Sequence, residues 1–138
     1  QTATATVNCR VLPDHLASDV ARRLEALAAP HDVTVGWNGR ERDSPASALD
    51  PDIMGAIEMI TEQMWSGVRV VPVMLTGATD GSRLRGAGIP TYGVSGLFGD
   101  MDDVRAHGRD ERIGIQNFYE GMEFLYRLVK ALSGGGIA

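Results

Sequence analysis

Apolar residues along this 138-residue chain change period several times, from two to between three and four and back. Such switching admits few folds other than one that mixes strands with helices. From residue 2 to 12 the alternation is clean. Thr2, Thr4, Thr6, Asn8 and Arg10 share one face, and Ala3, Ala5, Val7, Cys9 and Val11 share the other. That pattern predicts a half-buried antiparallel strand, ended by Pro13 and Asp14. Leu16, Val20, Leu24 and Leu27 then form a helical stripe over about 16–29. Residues 33–37 read as a short strand. Residues 38–49 are polar and turn-rich, which marks a connection between two structural units.

The second half repeats the switching. Asp50-Pro51 predicts a helix start, because Asp can accept from the first free N–H groups and Pro suits the first helical position. Ile53, Ile57, Ile60 and Met64 follow on one face. Residues 68–75 form a nearly continuous apolar run that suits a strand buried on both faces, with Pro72 pointing to an edge or a bulge. A short helix over 82–87 and a strand over 91–95 come next. Phe118, Met122, Leu125, Val129 and Leu132 predict a last helix over about 117–132. The glycines from 134 end it, and residues 134–138 are expected to fray. The order is β-α-β, a connection, then α-β-α-β-α, an α/β chain without an internal repeat.

Composition removes several function classes. The formal net charge is −5, and no cluster of Lys and Arg with aromatics occurs, which argues against a nucleic-acid partner. No apolar run is long enough to span a bilayer, so no membrane role is expected. Residues 1–6 lack the basic and apolar regions of a signal peptide. Cys9 is the only cysteine, which excludes an internal disulfide or a thiolate zinc cluster and favours a cytoplasmic setting. A signal peptide ahead of residue 1 would alter that setting. The chain begins inside a strand pattern without an initiator Met, as expected for part of something longer.

Two segments carry chemistry. Ala106-His107-Gly108-Arg109-Asp110-Glu111-Arg112-Ile113 places an imidazole in a charged, Gly-containing turn. Neutral imidazole binds metal without a costly deprotonation, and neighbouring carboxylates can orient such a ring. A loop His bonded to Asp110 or Glu111 is the competing reading. The second segment is Thr76-Gly77-Ala78-Thr79-Asp80-Gly81. Its small residues suit an anion site of backbone N–H groups, or an ordinary turn capped by Asp or Ser. It lacks the Gly-Lys-Ser/Thr ending of a phosphate loop.

These two segments, with Ala5-Thr6-Val7-Asn8-Cys9-Arg10-Val11-Leu12-Pro13 and Ala87-Gly88-Ile89-Pro90-Thr91-Tyr92-Gly93, resemble in order and spacing the C-terminal part of the dinuclear zinc peptidases and deacylases. That family includes glutamate carboxypeptidase, succinyl-diaminopimelate desuccinylase, acetylornithine deacetylase and aminoacylase. The resemblance covers about residues 3–132. It implies that residues 1–38 end a lid, or dimerisation, domain of antiparallel sheet and helix. Residues 39–49 would connect it to the C-terminal part of a three-layer catalytic domain at 50–133.

The resemblance further implies that His107 binds one of two zinc ions. It places the bridging Asp and the general-base Glu in sequence preceding this chain, so no catalytic residue is expected within it. Asp110 and Glu111 are expected to orient the turn, pairing with Arg109, Arg112 or backbone N–H groups. Gly77, Thr79, Asp80, Ser82, Arg83 and Asn8 are the implied substrate-binding residues. The family often has an Arg two positions after the Asp. Here that position is Ser82, so Arg83 or Arg85 would take the role. The implied reaction is hydrolysis of a peptide or N-acyl amide bond next to a free carboxylate, by metal-activated water. The chain alone is expected to be inactive and to self-associate, through unpaired strand edges such as 2–12. A non-catalytic dimerisation or binding module is the competing class.

Overall fold

The computed structural model describes residues 2–13, 15–37 and 44–134. Asp14, residues 38–43 of the expected connection and residues 135–138 of the expected tail lie outside the described residues. Four α-helices are present: α1 (Ala17–Ala28), α2 (Pro51–Met64), α3 (Gly81–Gly86) and α4 (Ile115–Leu132). A 3-10 turn, Ala29–His31, follows α1. All four helices lie within two residues of their predicted positions, which is the ordinary uncertainty of a helix end.

Among the described residues no strand is formed, and 2–12, 33–37, 68–75 and 91–95 carry no ladder. A period of two says which side chains would share a face, but a ladder needs N–H and C=O groups from a neighbouring strand. No such neighbour is supplied here. Most apolar side chains of these segments are accordingly exposed, Val7 at 70% and Leu75 at 80%, while Val35, Val70 and Tyr92 are half-buried.

The chain divides into two compact units. One comprises Gln1–Ala48 and Met74–Tyr92. It holds α1 and α3, and its one buried hydrophobic residue among those described is Ala21. Of the predicted α1 stripe, Val20 and Leu24 are half-buried while Leu16 and Leu27 are exposed. Ser44–Ala48 are fastened to the segment after α3. The Thr91 N–H donates to Ser47 Oγ at 2.8 Å, Ser47 donates to the Thr91 carbonyl at 2.9 Å, and the Tyr92 hydroxyl donates to the Ala48 carbonyl at 2.5 Å.

The other unit comprises Leu49–Val73 and Gly93–Ala138. Its core is the α2–α4 interface: Ala56, Ile57 and Ile60 pack with Phe124 and Leu128, flanked by Ile53, Met54, Met64, Trp65, Val70 and Ala131. The start of α2 is built as its sequence predicts. Asp50 Oδ1 accepts from Asp52 N at 2.9 Å and Ile53 N at 3.2 Å, with Pro51 in the first turn.

The α4 face differs from the predicted one. Gly121, Phe124 and Leu128 are buried, whereas Phe118, Met122, Leu125, Val129 and Leu132 are exposed. Gln116, Glu120, Glu123, Arg127 and Lys130 form a polar face, and apolar residues cover the wide remaining arc, so the pattern offers two stripes. Close approach decides between them. A Cβ on Gly121 would collide with Leu97, and one on Gly96 would lie 2.6 Å from Phe124 Cβ and Cγ. The 95–98 segment therefore sits on the Gly121–Phe124 side. Trp65 completes that side, with ring centroids 4.8 Å from Phe98 and 5.7 Å from Phe124.

Candidate functional site

His107 belongs to the unit of α2 and α4 and lies in the exposed loop that precedes α4. Its φ is +65°, one of two positive values among the described non-glycine residues, the other being Asp32. Residues other than Gly reach that region at a cost of about 1 kcal/mol or more, so the surroundings must enforce it. Gly108 helps. Its N–H donates to the Arg105 carbonyl at 2.9 Å, and a Cβ there would stand 3.0 Å from that oxygen.

An ionic lattice closes the loop. Asp103 Oδ1 accepts from Arg105 Nε, and Asp103 Oδ2 accepts from Arg112 Nη2 at 2.6 Å and Nε at 3.2 Å. Arg105 Nη1 donates to Asp110 Oδ2. The Arg112 and Arg105 guanidinium groups hold the Asp103 carboxyl below the usual carboxylate range. Asp110 thus orients the turn through Arg105, and Arg112 acts through Asp103. Among the described residues neither Asp110 nor Glu111 forms an ion pair with Arg109 or Arg112, two of the partners expected from sequence. Asp103 and Arg105 escape a sequence reading, because nothing in their spacing distinguishes a hub from a solvated charge run.

The imidazole of His107 makes no hydrogen bond or ion pair among the described residues, so its nitrogens stay available. The carboxylates of Asp103 and Asp110 are committed to arginines. No group of three or more His, Cys, Asp or Glu able to hold a metal occurs among the described residues. Among the described residues the loop therefore forms no metal centre by itself, and His107 is its one imidazole. His15 and His31 are exposed, in keeping with a surface role.

The expected substrate-binding residues other than Asn8 cluster around α3, and all belong to the unit of α1 and α3. Thr79 organises their turn. Its Oγ1 accepts from Gly81 N at 3.2 Å, and its carbonyl accepts from Ser82 N at 3.1 Å and Ser82 Oγ at 3.0 Å. Arg83 N donates to the Asp80 carbonyl at 2.9 Å. The first N–H groups of α3 are thus satisfied within the turn. Asp80 makes no side-chain cap and instead faces Arg83 Nη1 at 3.6 Å, both side chains being largely exposed. Arg85 donates from Nε to Ser44 Oγ at 3.1 Å, which ties α3 to the 44–48 segment. Gly77 and Asn8 are exposed. Ser44 and Ser47 also escape a sequence reading, because a lone Ser in a polar stretch has no spacing that marks its partner.

A shallow surface hollow of about 630 Å³, lined by Pro51, Gly55, Met59 and Leu132 among others, contains none of the expected site residues. No described helix is long and apolar enough to cross a membrane. A family model for peptidase family M20/M25/M40 matches residues 3–131. No curated protein and no solved structure gives a significant match.

Proposed function

The chain belongs to peptidase family M20/M25/M40, a family of metal-dependent hydrolases, and from that membership we propose that it forms the C-terminal part of a zinc-dependent metallopeptidase or amidohydrolase. The substrate class is a small peptide or N-acyl amino acid, cleaved at an amide bond next to a free carboxylate. Membership over residues 3–131 carries this reading. The availability of the His107 imidazole in a turn of enforced geometry supports it.

In this reading His107 is one ligand of a zinc pair, and the other ligands and the general base come from sequence ahead of this chain. Residues 1–38 belong to a lid, and 50–133 to the catalytic domain. The strand-patterned segments take up sheet positions when paired with strands from the preceding sequence. Zinc supplies a Lewis acid that polarises the scissile carbonyl and makes water more acidic.

The chain's own residues bind and position. His107 donates a neutral nitrogen, which leaves charge neutralisation to the carboxylates. Arg83 takes the substrate carboxylate, exchanging its loose 3.6 Å pairing with Asp80 for the ligand. Arg85 is held by Ser44 and positions α3. Thr79 and Ser82 keep the turn in shape.

Zinc content and amidase activity of the holoenzyme test the reading, with and without His107→Ala. Loss of about one zinc per subunit and of most activity is the expected result. Unchanged zinc and unchanged activity in the variant would overturn the role of His107, whereas a parent that holds no zinc and cleaves no amide would leave a non-catalytic dimerisation or binding module.

A further inference from the structure

We propose that Asp103 is a positioning residue for His107: its carboxylate clamps the two ends of the 105–112 loop and so holds the imidazole in its left-handed backbone setting. The inference rests on the reading of His107 as a metal ligand. Both oxygens of Asp103 are used, Oδ1 on Arg105 and Oδ2 on Arg112. These arginines stand on either side of His107 in the chain, so one side chain fixes both flanks. Arg105 extends the clamp to Asp110 on the far side of the turn.

The clamp explains the backbone at its centre. A positive φ at a non-Gly residue persists only where the surroundings over-determine it. The 105–108 hydrogen bond alone closes a turn, but it does not anchor that turn to the chain on either side. The ionic lattice does. The imidazole stays outside the lattice, so Asp103 acts on it through the backbone and not by contact. Asp103 and Arg105 are also the less exposed members, at 33% and 34%, against 65% for Asp110 and 62% for Arg112. Solvent therefore competes least at the hub.

A structural role alone would lower overall stability and leave His107 unchanged. Exposed ion pairs contribute little to global stability, so the two roles separate. Asp103→Asn in the intact chain tests them by NMR, through the strong intraresidue HN–Hα contact that marks positive φ at His107 and through amide exchange at Gly108. Trp65 fluorescence, read in a Trp37→Phe background, reports the α2–α4 core in the same samples.

The expected result is loss of the positive-φ signature and faster exchange at Gly108, with unchanged Trp65 emission and recovery in Asp103→Glu. In the holoenzyme, Asp103→Asn should weaken zinc binding about 10- to 100-fold. An unaltered His107 signature overturns the inference. So does an unaltered zinc affinity in Asp103→Asn where His107→Ala loses zinc. Zinc binding that survives His107→Ala would instead remove the ligand premise. Should Asp103→Asn fail to fold, Arg112→Gln breaks the same clamp from an exposed position and is read by the same signals.

Discussion

Gly96 and Gly55 sit in opposite circumstances, and single methyl groups distinguish them. At Gly96 the φ is +63°, and an added Cβ would lie 2.6 Å from Phe124 Cβ and Cγ. Phe124 is 1% exposed and cannot yield. Gly96→Ala should therefore destabilise the protein by about 1–3 kcal/mol, through overpacking and backbone strain together. Gly55 lies within α2, and a methyl group added there would have nothing within 4 Å. Gly55→Ala should stabilise by about 0.5–1 kcal/mol, because Ala loses less backbone freedom in a helix. Urea unfolding midpoints of the two variants should move in opposite directions, and a shared direction would refute the packing argument. At this scale sequence shows residue types but few of their relations. His107 is visible as a candidate donor, whereas its φ and the hub at Asp103 depend on which charges meet. Thr79 is visible in its motif, but its capture of the Gly81 N–H in place of an Asp80 cap is not.

The helices are legible in the sequence where local chemistry suffices to start and stop them. Asp50-Pro51 caps α2 because the cap is built from residues two and three positions apart. The far end of α2 shows a second local device. Glu62 accepts from the Gly67 N–H at 3.0 Å and from the Ser66 hydroxyl at 2.8 Å, which closes the turn after the helix. The Gly67 N–H first, and then the Ser66 hydroxyl, hold the Glu62 carboxyl below its ordinary value. A carboxyl depressed in the folded state adds stability above its unfolded value, and that contribution disappears as pH falls through the folded one. Glu62→Gln should therefore unfold earlier than the parent at neutral pH, and the gap should close as pH drops below about 4.5. Thermal midpoints of the pair across about pH 7 to 3 measure this directly. A gap independent of pH would mean that the turn does not depend on the charge. Asp103 is depressed in the same sense, but it is common to both proteins and cancels in the comparison. The buried face of α4 and the strand segments are not legible, because both depend on distant neighbours. The α4 stripe is settled by the approach of residues 95–98, and a strand exists only through its partner.

Stability is unevenly distributed over the whole molecule. The unit of α2 and α4 buries Ile57, Ile60, Phe124 and Leu128 between helices of 14 and 18 residues. In the unit of α1 and α3, Ala21 is the one buried hydrophobic among the described residues. Its helices span 12 and 6 residues. Helices shorter than about 12–15 residues are marginal in water without tertiary packing. α1 has little of it, and the N–H groups of α3 are held mainly by its own turn. Amide exchange reports local opening free energies, which range from near zero to the global value. The central amides of α2 and α4 should therefore exchange at least about tenfold more slowly than those of α1 under the same conditions. Equal protection would mean that α1 gains packing comparable to the α2–α4 core. The expected gradient has a functional side. A turn that must admit a substrate carboxylate gains from low local stability, whereas a metal ligand must be held still. The proposed substrate-binding turn is in the weakly packed unit, and His107 precedes α4 in the strongly packed one.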